Sequence, residues 1–346
     1  MTLSINDHTL ITMAHGAGGR AMRCLIEEVF INVFGGEQLL RMEDQARLDM
    51  AQLSSLGDRL AYTTDSYVID PLEFPGGNIG SLAVNGTVND LAVGGARPLY
   101  LSCAFIIEEG IEVGLLRRIV EGMRDAALRA GVTVVTGDTK VVPRGKGDKV
   151  FINTSGIGVI EHGVNLHATQ CQPGDKIIVS GSLGDHGATI LQARGDLALE
   201  ADLQSDCQPL HGLVQLMLAE CPDIRAMRDA TRGGIAAVLH EFATASGFAM
   251  RLHEEMLPVK PEVRGVCEIL GLDALHFANE GRLVAVVPAK HAEALLRSMR
   301  QHPAGQDANI IGEVLDKAVA RVQVATALGG ERLLEMPDGE LLPRIC

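Results

Sequence analysis

Three aspartates sit where a chain often presents oxygen ligands: Asp65 in YTTDSYVIDP, Asp90 in VNGTVNDLAVGGARP and Asp138 in VTGDTKVV. Each falls at a strand end or in a Gly-rich turn. Carboxylates beside open backbone suit Mg²⁺, which takes hard oxygen ligands and keeps phosphate and water in its shell. A single such aspartate is more often a cap or a turn former. Three in one half of the chain shift the balance toward metal. HGAGGR (15–20) gathers the backbone amides of Gly16, Gly18 and Gly19, a nest suited to phosphate, although a Gly-rich run is commonly just a turn. Lys140, two residues after Asp138, can neutralise charge developing on a bound phosphate, or stand as a solvated surface lysine. Glu280, in HFANEGRLV, is either a general base or a surface carboxylate, and spacing does not decide. The chain ends MPDGELLPRIC, with a thiol, Cys346, on its last residue. Pro337 and Pro343 keep that end from becoming helix. Leu341, Leu342 and Ile345 are more apolar than a solvated tail requires, so the segment reads as a short arm that docks.

The elements needed to position these residues alternate in the first half. Residues 59–69, 132–138 and 149–160 are strand-like. LLRRIVEGMRDAALRA (115–130) has apolar residues at 115, 116, 119, 120, 123, 126 and 127, a helical spacing, with Gly131 as the stop. HATQCQPGDK (167–176) is a turn cluster. After it come a strand, a Gly-rich turn and a helix in IIVSGSLGDHGATILQA. DATRGGIAAVLHEFATASG repeats that grammar, and RLVAVVP followed by AKHAEALLRSM gives a late strand and helix. These spacings predict an α/β (α+β) chain: domain one at 1–165, domain two at 166–336, and a tail at 337–346.

Several function classes are excluded. The net charge of −14 argues against nucleic-acid binding, which requires a basic surface. No stretch approaches the roughly 20 apolar residues of a membrane span, and the N-terminus lacks the pattern of a secretory signal. Seven widely spaced cysteines without CxxC point to free thiols in a reducing cytoplasm. There is no GxxxxGK[ST] and no GxGxxG after an N-terminal strand, and in HEFAT the residue Thr244 stands where a zinc helix needs its second histidine.

In order along the chain, TTDSYVIDPLEFPGGNIG, VNDLAVGGARP, TGDTKVV, SGSLGDHGATIL and RDATRGG resemble the aminoimidazole ribonucleotide synthetase-like (PurM-like) ATP-binding superfamily. FANEG and the closing PRIC resemble one branch of it, the carbamoyl dehydratases of [NiFe]-hydrogenase maturation. The resemblance implies a two-domain PurM-like fold that forms a homodimer through its N-terminal sheet. It implies ATP and Mg²⁺ at Asp65, Asp90 and Asp138, with Asn89, Thr139 and the Gly-rich run alongside. It also implies a reaction. Cys346 receives a carbamoyl group from the carbamoyltransferase HypF, ATP dehydrates the S-carboxamide to a thiocyanate, and the cyanide passes to a HypC–HypD complex. Glu280 is then the first choice of base, with Lys140 second. Ten tail residues at about 3.3 Å each reach on the order of 30 Å, enough to swing between docked and exposed positions. The alternatives are a small-molecule enzyme of the superfamily, such as a thiamine-phosphate kinase or selenophosphate synthetase, or a non-catalytic thiol carrier. A selenophosphate synthetase would want a reactive Cys beside the Gly-rich run, where His15, Gly16 and Ala17 stand.

Overall fold

The computed structural model describes residues 5–195, 201–336, 339, 342 and 344–346. Pro337, Leu341 and Pro343, on which the extended-tail expectation partly rests, lie outside the described residues.

The first sheet has four strands: β1 (Arg59–Tyr67), β2 (Ala96–Glu108), β3 (Thr133–Val142) and β4 (Val150–Ile160), in the order β1-β4-β2-β3. β4 pairs antiparallel with β1 and β2, while β2 and β3 run parallel. A parallel pair needs a crossover, and α2 (Val113–Ala130) supplies it. α2 ends at Gly131 in the left-handed conformation, the stop expected from the sequence.

The helix α1 (Ile79–Val93) packs on the sheet beside α2. Fourteen of its fifteen residues are buried, so it has no polar face and no amphipathic period. That hid it in the sequence. Asp90, expected in a Gly-rich turn, stands instead in the last turn of this helix, and α1 starts with an Asn78–Ser81 capping box. Asp138, expected at a strand end, lies inside β3, which continues to Val142.

One sheet face is covered by α1 and α2; the other is open. Burial alternates along the strands as the pleat requires, and Leu60 (56%), Tyr62 (69%) and Ile106 (44%) are exposed on the open side. The second sheet has seven strands: β5 (Lys176–Val179), β6 (Ala226–Asp229), β7 (Met250–His253), β8 (Leu283–Val287), β9 (Asn309–Val314), β10 (Val322–Ala325) and β11 (Glu331–Leu334). Its order is β11-β10-β7-β9-β5-β8-β6, antiparallel except for the β10–β7 pair. The helices α3 (Asp185–Ala193), α4 (His211–Glu220), α5 (Gly234–Ser246), α6 (Pro261–Leu270) and α7 (Ala289–Met299) accompany it. Its interior strand β8, between β5 and β6, is buried at every residue, consistent with layers on both faces.

Candidate active site

At the junction of the two sheets a cavity of about 200 Å³ is lined by Asp65, Asp90, Asp229, Arg232, Glu280 and Cys346, with Tyr67, Gly86 and Thr231 completing the wall. β1 contributes Asp65, on its helix-covered side. α1 contributes Asp90, held by the Thr63 hydroxyl, which donates to Oδ2 at 3.0 Å. Gly86 has no side chain because the Tyr67 hydroxyl occupies the space: a Cβ there would lie 2.1 Å from it. β6 delivers Asp229 at its last residue, and the turn that follows delivers Thr231 and Arg232.

Glu280 is 3% exposed, and among the described residues its Oε1 has no hydrogen-bond partner. Its main chain is fixed by Asp206, whose two oxygens accept from the N–H groups of Glu280 (3.1 Å) and Gly281 (3.2 Å). Burial, then the nearby Asp206, Asp229 and Asp65, hold the Glu280 carboxyl well above the usual range. Burial and the charge of Asp90 push Asp229 up to about 7, and burial raises Asp90 as well.

The C-terminus closes the cavity. Ile345 and Cys346 are 4% and 7% exposed, and both belong to the N-terminal domain's core cluster. The Arg232 Nε–H donates to Cys346 Sγ at 3.0 Å. Burial, then Glu280, push the thiol up to about 12, while Arg232 pulls the other way. The site thus holds a protonated thiol beside one guanidinium and four carboxyl groups. Mutually repelling carboxyls out of water suit a hard cation. Among the described residues no three of them converge as a ready-made cage. One or two carboxylates completed by phosphate and water is how Mg²⁺ is usually bound, and Asp65 and Asp90 fit that donor set.

The structure brings Asp65, Asp90, Glu280 and Cys346 together, and it places the other sequence candidates elsewhere. Asp138 and Lys140 are exposed on β3, at the opposite sheet edge from Asp65. Three inter-strand steps of about 4.8 Å separate those edges by roughly 14 Å, so within one chain Asp138 cannot share an ion with Asp65. Lys140 is likewise outside the cavity that holds Cys346. Thr139 is 6% exposed and, with Asp138, borders a separate apolar groove under residues 22–43. Gly16 packs on β3, where a Cβ would meet Val141 at 2.9 Å, and Gly18 and Gly19 are open to solvent-side space. Asn89 is committed to joining the domains: its Nδ2 donates to the carbonyls of Gln208 (3.1 Å) and Glu280 (3.3 Å), and its Oδ1 accepts from the Leu210 N–H (2.7 Å).

Sequence reasoning assigned no role to Asp229 and Arg232, although RDATRGG was singled out as a motif. The available signal was the same as for Asp65: an aspartate closing a strand ahead of a polar, Gly-rich turn.

Two family matches divide the chain. The AIR synthase related protein N-terminal domain matches residues 42–160, and its C-terminal domain matches 172–325. A curated relative, carbamoyl dehydratase HypE of Rhodobacter capsulatus, is 58% identical over 336 residues, covering 97% of this chain and 98% of the relative. A solved structure of the hydrogenase maturation protein HypE in complex with ATP is 47% identical with a TM-score of 0.91, covering 96% of this chain and 99% of that one. A solved HypE–HypF complex is 46% identical with a TM-score of 0.78, covering 90% and 99%. Near-complete coverage at these identities, on a fold whose C-terminal cysteine sits among buried carboxyls, shows that the chain belongs to the carbamoyl dehydratase HypE family of hydrogenase maturation proteins.

Proposed function

We propose that the protein dehydrates an S-carboxamide on its own Cys346 to a thiocyanate at the expense of ATP, supplying cyanide for the iron centre of [NiFe]-hydrogenase. The observation that carries this reading is the placement of Cys346 Sγ in one cavity with Glu280 and Arg232. A small-molecule kinase would leave that cavity open for its substrate; here the chain's own end fills it.

Removing water from an amide is difficult because its oxygen is a poor leaving group. Attack of the carboxamide oxygen on the γ-phosphorus of ATP, with departure of ADP, converts that oxygen into a phosphate ester. Phosphate then leaves with the C–O electron pair as the C–N triple bond forms. Two protons leave nitrogen along the way, one as oxygen is phosphorylated and one as phosphate departs. Glu280 is the acceptor facing the reacting group. Its environment raises its affinity for a proton, which makes its ionised form a stronger base. Arg232 places a fixed positive charge beside the sulfur, where charge develops on the adjoining oxygen. Burial of the tail excludes the water that would return the product to the amide. Asp65 and Asp90 would hold Mg²⁺, which supplies charge neutralisation for the phosphates when bound.

Asp138 and Lys140 enter through the dimer. The open face of the first sheet exposes Leu60, Tyr62 and Ile106, apolar surface that a second copy would cover. Both residues alternate onto that face, so pairing there brings them, with Thr139 and the Gly16–Gly19 segment nearby, to a shared junction where they would meet the nucleotide. HypF as carbamoyl donor and a HypC–HypD complex as cyanide acceptor complete the cycle. All seven cysteines are free, as a reducing cytoplasm would keep them.

The test is mass spectrometry of the C-terminal peptide. Protein incubated with HypF, carbamoyl phosphate and ATP gains a carboxamide on Cys346, which then loses one water in the presence of Mg²⁺ and ATP. Label on Cys24 or Cys103 instead overturns the reading.

A further inference from the structure

The last residues are held by groups that never touch the sulfur. Val68 N–H donates to the Cys346 carbonyl at 3.2 Å and Asp70 N–H to the Arg344 carbonyl at 3.3 Å. Donors two residues apart meet acceptors two residues apart in the opposite sense, one half of an antiparallel ladder, while the carbonyls of Val68 and Asp70 accept from the Arg344 and Arg194 side chains. The carbonyl between them, that of Ile345, faces the other way and accepts from His186 Nε2 at 2.7 Å. Arg194 clasps the arrangement: its Nη2 donates to the Arg344 carbonyl and its Nε donates to the Asp70 carbonyl at 2.6 Å. Three successive tail carbonyls therefore each have a donor. Side chains are read beside them, Ile345 by the core and Arg344 by Asp148 and Asp70.

Among the described residues His186 is the only side chain that donates to the middle carbonyl, and its chemistry is set from behind. It is 0% exposed, in the first turn of α3, with the Phe74 ring edge-on at 5.6 Å. Its Nδ1 lies 2.8 Å from the Ser205 hydroxyl oxygen, which already accepts from the Cys207 N–H at 3.1 Å. The Ser205 proton is thus directed at Nδ1, which leaves the hydrogen on Nε2, toward the tail. Burial lowers the imidazole's affinity for a second proton, in keeping with one neutral tautomer.

We infer that residues 68–70, His186 and Arg194 form a peptide-binding subsite distinct from the reacting cavity, that its ligand is an extended peptide ending in Arg-Ile-Cys, and that His186 is a positioning residue kept in the donor tautomer by Ser205. Because every main-chain contact is to a carbonyl, the subsite grips the tail alike whether the sulfur carries hydrogen, carboxamide or nitrile. The subsite stands on the docked geometry; only its purpose rests on the proposed reaction.

The test uses the full-length chain without ATP, carbamoyl donor or partner, so a chain unable to dehydrate anything still gives an answer. Iodoacetamide modification of each cysteine is timed by peptide mass spectrometry. Cys346 reacts only from the undocked state, and buried Cys171 and Cys221 report general unfolding. His186→Phe keeps a ring against Phe74 but removes the donor. Cys346 should react about ten-fold faster, the effect of one lost hydrogen bond, with Cys171 and Cys221 still protected. His186→Gln, which can donate, should react more slowly than His186→Phe. Ser205→Ala should accelerate Cys346, and the double variant with His186→Phe should be no faster than His186→Phe alone. An unchanged Cys346 rate in His186→Phe, or additive effects in the double variant, overturns the assignment. If His186→Phe also exposes Cys171, Ser205→Ala decides: faster labelling of Cys346 alone supports the subsite, and an unchanged rate refutes it.

Discussion

Replacing Glu280 by Gln should separate the chemical step from everything else the cavity does. The amide keeps the shape of the carboxyl and inherits its unpartnered oxygen position, but it cannot take a proton. Dehydration should fall by about 10²–10⁴-fold, the usual cost of losing a general base, while ATP binding and carbamoylation of Cys346 persist. The carboxamide then accumulates, one water heavier than the nitrile. The same substitution carries a stability signature of definite sign. The folded Glu280 carboxyl holds its proton above its ordinary value of 4.5, so the protonated form is favoured by folding. Its contribution is fully present below that value and is lost as pH rises toward the folded pKa, at up to about 1.4 kcal/mol per pH unit. Gln carries no such dependence. In urea denaturation from pH 5 to pH 8 the variant should therefore gain on the wild type as pH rises. Single-turnover mass spectrometry of the C-terminal peptide reads the chemistry. Wild-type nitrile formation by the variant would refute Glu280 as the base, and an unchanging stability gap would refute its raised proton affinity.

Asp90→Asn keeps an oxygen for the Thr63 hydroxyl but loses the charge, so circular dichroism should match wild type while Mg²⁺-dependent ATP turnover falls by at least about 10–100-fold. Lys140→Met should slow phosphoryl transfer and leave carbamoylation intact, measured as ADP release against carboxamide yield; Asp138→Asn should behave similarly. Tyr62→Glu puts a charge on the open sheet face of both copies. Losing about 1.5–3 kcal/mol of burial per copy should weaken the dimer by roughly 10²–10⁴-fold, seen by sedimentation, with ATP turnover falling in parallel.

What could be read beforehand followed from local pattern. β3 and β4 are rich in β-branched residues, β1 mixes Thr with Tyr, and α2 has a polar face, so these patterns announced themselves. α1 did not, because a helix buried on all sides has no period to detect, and Asp90 was therefore given the wrong kind of element. The strand order was also beyond local pattern. Asp65 and Asp138 look equivalent in sequence, yet β1 and β3 are opposite edges of one sheet. Asn89 stands next to Asp90, but the helix turns it by about 100° toward the other domain, where its amide is consumed. Cys346 was singled out for another reason: a terminal thiol alone could be a chance residue, and the closing PRIC, which resembles the carbamoyl dehydratases, gave it a role.

The burial that raises the Cys346 thiol to about 12 also determines when the product can be given up. Handing cyanide to an acceptor breaks the S–C bond and leaves its electron pair on sulfur, so the ease of transfer follows the stability of the thiolate. Inside the dock that thiolate is disfavoured by burial, which holds the thiol at about 12 against the ordinary 9.0. In water it is not. A nitrile formed in the cavity would therefore be stored while the tail is seated and would become transferable on leaving the dock. The burial that assists its formation would then also time its release, since stray thiols in the surrounding solution would meet the reactive carbon only after departure from the dock.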